Sequence, residues 1–126
     1  MNRLDELFTQ WVARTPDQVA VDGGGELFTY AELDRLANRF ARRFLAAGMQ
    51  PGDRVGIHLP RSARAVAAMI GAIRSGAVYV PLDPGSPPQR MRLIVQDGGL
   101  RHVVISPQLL ASWAAAGVID LVEHFF

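Results

Sequence analysis

The sequence predicts an α/β protein: a Rossmann-like, mostly parallel sheet with helices on both faces, preceded by a short helix and a β-hairpin. Three observations carry this. From Pro51 onward, short runs rich in Val and Ile alternate with helical runs, the pattern of strands buried on both sides by crossover helices. Gly or Pro punctuates most of the junctions between them. The composition, 49% hydrophobic and 20% charged over 126 residues, is that of one ordinary globular unit, with no repeat, low-complexity linker or internal domain boundary. Residues 1–126 are therefore expected to form a single unit.

Leu4, Leu7, Phe8, Trp11 and Val12 recur at helical spacing, and Pro16 closes that segment. Residues 18–21 and 26–29 read as two strands around the turn Gly23-Gly24-Gly25. Thr29 and Glu32 have the spacing in which each side chain accepts from the other's backbone N–H, so a helix should begin there. Along it, Leu33, Leu36, Ala37, Phe40, Ala41, Phe44 and Leu45 form one apolar face, Arg35, Asn38, Arg39, Arg42 and Arg43 the other, and Gly48 the stop. Residues 54–59 form the next strand. Ser62 caps a nearly all-apolar helix running to about Arg74 and ending at Gly76. A strand follows over 77–82. Ser86, Pro87 and Gln89 give a second capping signature, with Pro87 at the first helical position, for a helix ending at Gly98-Gly99. Residues 102–105 are a strand, Ser106-Pro107 opens a helix through Ala116, and residues 118–122 are expected to be the last strand.

Composition narrows the chemistry. Thirteen basic residues against twelve acidic ones leave a net charge of +1, too little to point to nucleic acid or a membrane surface as partner. All thirteen are Arg, so Schiff-base chemistry and a lysine-bearing phosphate loop are outside this chain's repertoire. The absence of Cys removes thiol nucleophiles and cysteine metal sites. The start of the chain is acidic within six residues and has no apolar signal core. The longest apolar run, residues 65–73, is far short of a membrane span of about 18 residues. A cytoplasmic location is expected.

The candidate chemical groups are few. Gly23-Gly24-Gly25 lacks a helix start directly after it and reads as a hairpin turn rather than a phosphate cradle. The crossings Pro60-Arg61-Ser62 and Asp83-Pro84-Gly85-Ser86 lie where α/β folds place ligands, at the carboxyl ends of parallel strands, but their glycine content suits capping better than pyrophosphate binding. His58 could turn toward Ser62 or Asp83, although no serine has the context of a nucleophile elbow. His58, His102 and His124 have no local metal-binding spacing. Glu32 and Asp34, and the stripe Arg35, Arg39, Arg42 and Arg43, read as solvated helix surface.

Residues 28–33, Phe-Thr-Tyr-Ala-Glu-Leu, resemble the first core motif of adenylate-forming enzymes, Leu-(Thr/Ser)-Tyr-x-Glu-Leu. Residues 74–84, Arg-Ser-Gly-Ala-Val-Tyr-Val-Pro-Leu-Asp-Pro, resemble the second, Lys-Ala-Gly-x-x-Tyr-Val-Pro-Leu-Asp-Pro. Residues 51–55, Arg61-Ser62 and residues 83–91 follow the same running pattern. The closest resemblance is to the amino-acid adenylation domains of nonribosomal peptide synthetases, and it extends from Leu7 to about Val122. Phe28 stands for the usual leucine, Arg74 for lysine, Ser86 for tyrosine and Gln89 for glutamate.

The resemblance implies a parent reaction in which ATP and an amino acid give aminoacyl-adenylate and pyrophosphate, followed by transfer to the phosphopantetheine thiol of a carrier protein. It implies ATP and magnesium for the complete enzyme. It also implies that this chain is an N-terminal structural portion, the family's phosphate loop and catalytic lysine lying beyond Phe126. The expectation is a chain that binds no cofactor or metal by itself, contributes no catalytic residue and is inactive alone, with the remainder of the domain as its partner in cis or as a separate chain. The alternatives are a complementing subunit docking onto a polypeptide that carries the active site, or part of an acyl-CoA or aryl-acid ligase. The resemblance leaves the substrate and the residues that bind it open.

Overall fold

The computed structural model describes residues 3–23, 26–60 and 62–126. Its elements are α1 (Arg3–Arg14), β1 (Val19–Gly23), β2 (Glu26–Thr29), α2 (Tyr30–Ala46), β3 (Arg54–His58), α3 (Ala63–Arg74), β4 (Val78–Pro81), α4 (Pro88–Gly98), β5 (His102–Ile105), α5 (Leu110–Ala116) and β6 (His124–Phe125). The strands β4-β3-β5-β6 form one sheet in that order, and every pairing is parallel. β1 and β2 form the expected antiparallel hairpin. The Gly24-Gly25 part of the expected turn lies outside the described residues, as does Arg61.

Every residue of β5 is buried, as are residues 55–58 of β3. That is the signature of strands covered on both faces. Because successive side chains alternate across a sheet, Val104 joins the core under α2 and α3, while Val103 and Ile105 join the one under α4 and α5. The first core holds Leu33, Phe40 and Phe44 of α2 against Ala67 and Ile70 of α3. The second is centred on Met91, Val95 and the fully buried Trp113.

The Thr29–Glu32 capping box is present in both directions, each N–H···O distance being 3.1 Å. Glu32's pKa is lowered, first by the bond it accepts from the Thr29 backbone. Ser62 caps α3 by accepting from the Ala65 N–H at 3.2 Å.

Three expected boundaries move. Pro87 is not the first helical residue: it precedes Pro88, and the residue before a proline is excluded from helical backbone, so Pro87 stays extended (φ −68°, ψ 154°) and α4 starts at Pro88. No side chain caps that helix; the Ser86 N–H instead donates to the Asp83 carbonyl at 3.0 Å. Ser106-Pro107 opens with a 3₁₀ turn, Pro107–Leu109, before α5 begins.

The expected strand at residues 118–122 is a 3₁₀ turn, Ile119–Leu121, and the last strand lies beyond it at His124–Phe125. Gly117, at φ +70°, closes α5 with Gly117 N–H to Ala114 and Val118 N–H to Trp113, the double bond pattern of a Schellman end. Val118 is apolar and fully buried because it seals that helix end. Its hydrophobicity therefore reports a cap contact rather than a pleated strand.

Candidate functional site

Parallel pairing brings the carboxyl ends of β3, β4 and β5 to one side of the sheet, where the chain continues into Ser62, Asp83 and Ser106. This is where a crevice ligand would sit in an open α/β sheet. The side chains of Ser62 and Asp83 are already engaged in local hydrogen bonds. The Ser62 hydroxyl donates to the Pro60 carbonyl at 3.0 Å while accepting from Ala65. Asp83 Oδ1 accepts from the Gly85 N–H at 2.9 Å, which locks the turn.

His58 is fully buried, and its Nδ1 accepts from the Trp113 indole N–H at 2.7 Å, the two rings meeting edge-on at 5.8 Å. An accepting Nδ1 places the proton of the neutral ring on Nε2, which has no hydrogen-bond partner. Burial pushes the His58 pKa down, and the Asp83 backbone and carboxylate offset part of that shift. His58 therefore lies close to Asp83, one of the two directions open to it from the sequence. Among the described residues no side chain-to-side chain hydrogen bond joins His58, Ser62 and Asp83, so a nucleophile–base–orienter chain is not assembled.

At the opposite, amino-terminal end of the sheet, parallel register sets His102 opposite His124. Their Nδ1 atoms are 3.2 Å apart, so one ring donates to the other. Burial lowers the His102 pKa, and proximity to His124 lowers it further, against opposing contributions from Asp53 and Glu123. The pair is invisible to local spacing because the two residues are 22 positions apart; only the register of β5 and β6 unites them. Among the described residues no group of three His, Asp or Glu side chains converges in a way that could hold a metal ion.

The most connected polar side chain is one that the sequence marks only as a departure from a motif. The Arg74 Nε donates to buried Asp5 at 2.7 Å, its Nη1 to the Asn38 side-chain oxygen at 2.7 Å, and its Nη2 lies 2.8 Å from Asp34. Burial opposes its charge, but Asp5 and Asp34 outweigh that and raise its pKa. Asp34, expected to be solvated, is thus part of a helix-bridging network. The arginines of the α2 stripe, Arg35, Arg39, Arg42 and Arg43, are exposed as expected.

Both recognisable motifs are folded as framework. The first supplies the α2 cap. The second runs from Arg74 through β4, whose outer side is open rather than core: Val78 is 52% exposed and Pro81 is exposed, as suits a proline at a sheet edge. A family model described as AMP-binding enzyme matches residues 8–124.

The chain belongs to the AMP-binding enzyme family.

Among relatives, 101 residues are 44% identical to a probable non-canonical nonribosomal peptide synthetase, CymA, of Salinispora arenicola. The match covers 80% of this chain and 1% of CymA. The fold superposes on VinN in complex with L-aspartate with a TM-score of 0.88 at 27% identity, covering 99% of this chain and 35% of VinN. It also superposes on the AMPPNP-bound form of the nonribosomal peptide synthetase FmoA3 with a TM-score of 0.79 at 30% identity, covering 96% of this chain and 12% of FmoA3. The chain thus spans about a third or less of the length of each of these three proteins.

Membership of this family implies ATP use. A magnesium–triphosphate is held by lysine or arginine, by backbone N–H groups at a glycine-rich helix start and by carboxylates on the metal. At the carboxyl ends of the strands the described hydroxyl and carboxylate are held in caps and turns, and the Ser62 oxygen already satisfies an N–H at the start of α3. Ser62 and Asp83, engaged in this way, do not fit the nucleotide, and no step of its chemistry is routed through them.

Proposed function

We propose that this chain is the N-terminal structural portion of an ATP-dependent amino-acid-activating adenylation domain. Its parent reaction joins an amino acid to AMP with release of pyrophosphate, then passes the acyl group to a carrier protein's phosphopantetheine thiol. Alone, the chain does not catalyse that reaction. It contributes no catalytic residue and acts in the cytoplasm together with the remainder of the domain, in cis or as a second polypeptide. Among the described residues no helix is long and apolar enough to cross a membrane, in keeping with that setting.

The observation that carries this reading is the match to a peptide synthetase at 44% identity, joined to the structural use of both motifs in capping and edge-strand formation. Pentavalent phosphorus is stabilised by preorganised cations and donors, and this chain has no lysine to offer. The solvent-facing edge of β4 gives the remainder of the domain a place to pair, which favours a partner over independent action.

Amino-acid-dependent ATP–pyrophosphate exchange tests it. The 126-residue chain should show no exchange above background with any of the proteinogenic amino acids. Joined to the downstream part of a peptide-synthetase adenylation domain, it should support exchange with a restricted set of them. Exchange by the chain alone would sink the proposal, as would a fusion that folds yet exchanges with no amino acid or acyl acid. A fusion accepting only aryl or fatty acids would move the assignment to the acyl-CoA ligase branch.

A further inference from the structure

We infer that the groove between α2 and α3 is a docking site for an acidic amphipathic helix of a partner polypeptide. The groove, of about 350 Å³, has an apolar floor of Phe28, Leu36 and Phe40 and a rim of Arg39, Arg43 and Arg64. Among the described residues no carboxylate lines it.

The charges of α2 are sorted by face. Its two acids are both engaged elsewhere: Glu32 accepts from the Thr29 N–H, and Asp34 pairs with Arg74. The rim arginines have no such partners. Among the described residues none of the three forms an ion pair, whereas Arg74 and Arg101 do. Two of them lie against aromatic rings: the Arg43 guanidinium is 5.6 Å from the centre of the Phe126 ring, and that of Arg64 is 5.9 Å from the centre of the Phe40 ring. A guanidinium attracted to a ring face keeps its N–H donors free to meet carboxylates.

The spacing selects the occupant. On the rim, Arg39 and Arg43 are four residues apart, so they repeat at roughly 6 Å along the helix axis. Carboxylates at positions i and i+4 of a facing helix repeat with the same step. A helix that lays an apolar row into the Phe28–Leu36–Phe40 floor would bring such a row of Asp or Glu against the rim, the helix-in-groove mode of recognition. A single small carboxylate would meet one guanidinium and leave the others unmatched.

The probe is a labelled amphipathic peptide with glutamates at i and i+4 beside a leucine row, with a lysine-for-glutamate peptide as control. Binding to the 126-residue chain is followed by fluorescence anisotropy. The glutamate peptide should bind, the lysine peptide should not, and affinity should fall severalfold as salt rises toward a Debye length of about 6 Å. The double variant Arg39→Glu/Arg43→Glu should weaken binding at least ~10-fold, a loss carried by charge complementarity. Arg39→Gln/Arg43→Gln, with its thermal unfolding checked, gives the same comparison without reversed charge. Equal binding of both peptides, no binding of the glutamate peptide, or unchanged affinity in the variants would overturn the inference. So would displacement of the peptide by millimolar 4-phenylbutyrate acting alone at one arginine, or self-association that the same variants abolish, since a small carboxylate or a second copy would then be the occupant.

Discussion

At the scale of single residues, Arg74 ties three helices together: Asp5 on α1, Asp34 and Asn38 on α2, and its own α3. Its planar fork reaches three acceptors in different directions, and a lysine ammonium at the same position has neither the reach nor the geometry. Arg74→Lys should therefore destabilise the chain by about 2 kcal/mol, as lost charge-assisted hydrogen bonds do. Arg74→Met should cost about 3 kcal/mol or more, because it strands the buried Asp5 carboxylate. Urea midpoints of the two variants check this; a lysine variant as stable as the parent would show that one contact suffices. His58 gives a pH dependence. Its pKa in the fold lies below the ordinary value of 6.5, so below that pH the unfolded chain binds more protons than the folded one. Its contribution is complete above about pH 6.5 and declines as pH falls through the folded-state pKa, and His102 shifts in the same direction. In His58→Gln the amide oxygen can still accept from Trp113 but does not titrate. Thermal midpoints of that variant between pH 6.5 and 5 should slope less steeply than the parent's, and equal slopes would assign the effect elsewhere.

At the scale of elements, the pair α2–α3 depends on close approach. A Cβ placed on Gly71 would lie 2.7 Å from the Phe40 Cβ and 2.8 Å from the Ala37 carbonyl oxygen, so one obstacle is backbone that no rotamer change can move. Gly71→Ala should push the helices apart and cost about 3 kcal/mol, despite the better helix propensity of alanine. A neutral or stabilising result in denaturant unfolding would mean that the helices slide apart at little cost. The elements most legible in the sequence were those whose signals are local. The capping box of Thr29 and Glu32, the Ser62 cap, the Gly48 stop and the Val/Ile strands β3 and β5 are each dictated by neighbours in the chain. The misread elements share one cause. Pro87 and Val118 carry residue types whose meaning depends on the next peptide unit or on a helix end, and the same apolarity serves a strand or a cap. The His102–His124 pair and the Arg74 network were not legible, because register and helix crossing set them rather than spacing. The carboxyl-end residues His58, Ser62 and Asp83 could be placed from strand order, but only packing revealed that Trp113 takes the histidine.

At the scale of the molecule, the sheet has four strands and two outer edges, and they are not equally protected. β6 contributes only two residues, and its backbone is tied to β5 by the Phe126 N–H to Val103 and by the Ile105 N–H to the Phe126 carbonyl. β4 is longer and presents Val78, 52% exposed, beside Tyr79 and Val80; among the described residues no strand pairs with its outer side. Only Pro81, which lacks an N–H, blunts one end of it. An apolar, unguarded edge is a template for a strand from another chain, and natural proteins usually block such edges with charge. The isolated chain should therefore self-associate, with a weight-average sedimentation coefficient that rises with protein concentration. Val78→Lys should suppress this at little cost in stability. The site is already half in solvent, the lysine stem can lie along the neighbouring apolar surface, and its ammonium repels a second edge. Groove charge reversals at Arg39 and Arg43 should leave self-association unchanged, since they lie on the helical layer rather than on the edge. If the Val78→Lys chain associates as strongly as the parent, the contact lies elsewhere, with exposed Leu27 and Leu93 as the next surfaces to alter. If it becomes monomeric, the β4 edge is the surface that the remainder of an adenylation domain would have to cover, and pairing there should stabilise the chain by mass action.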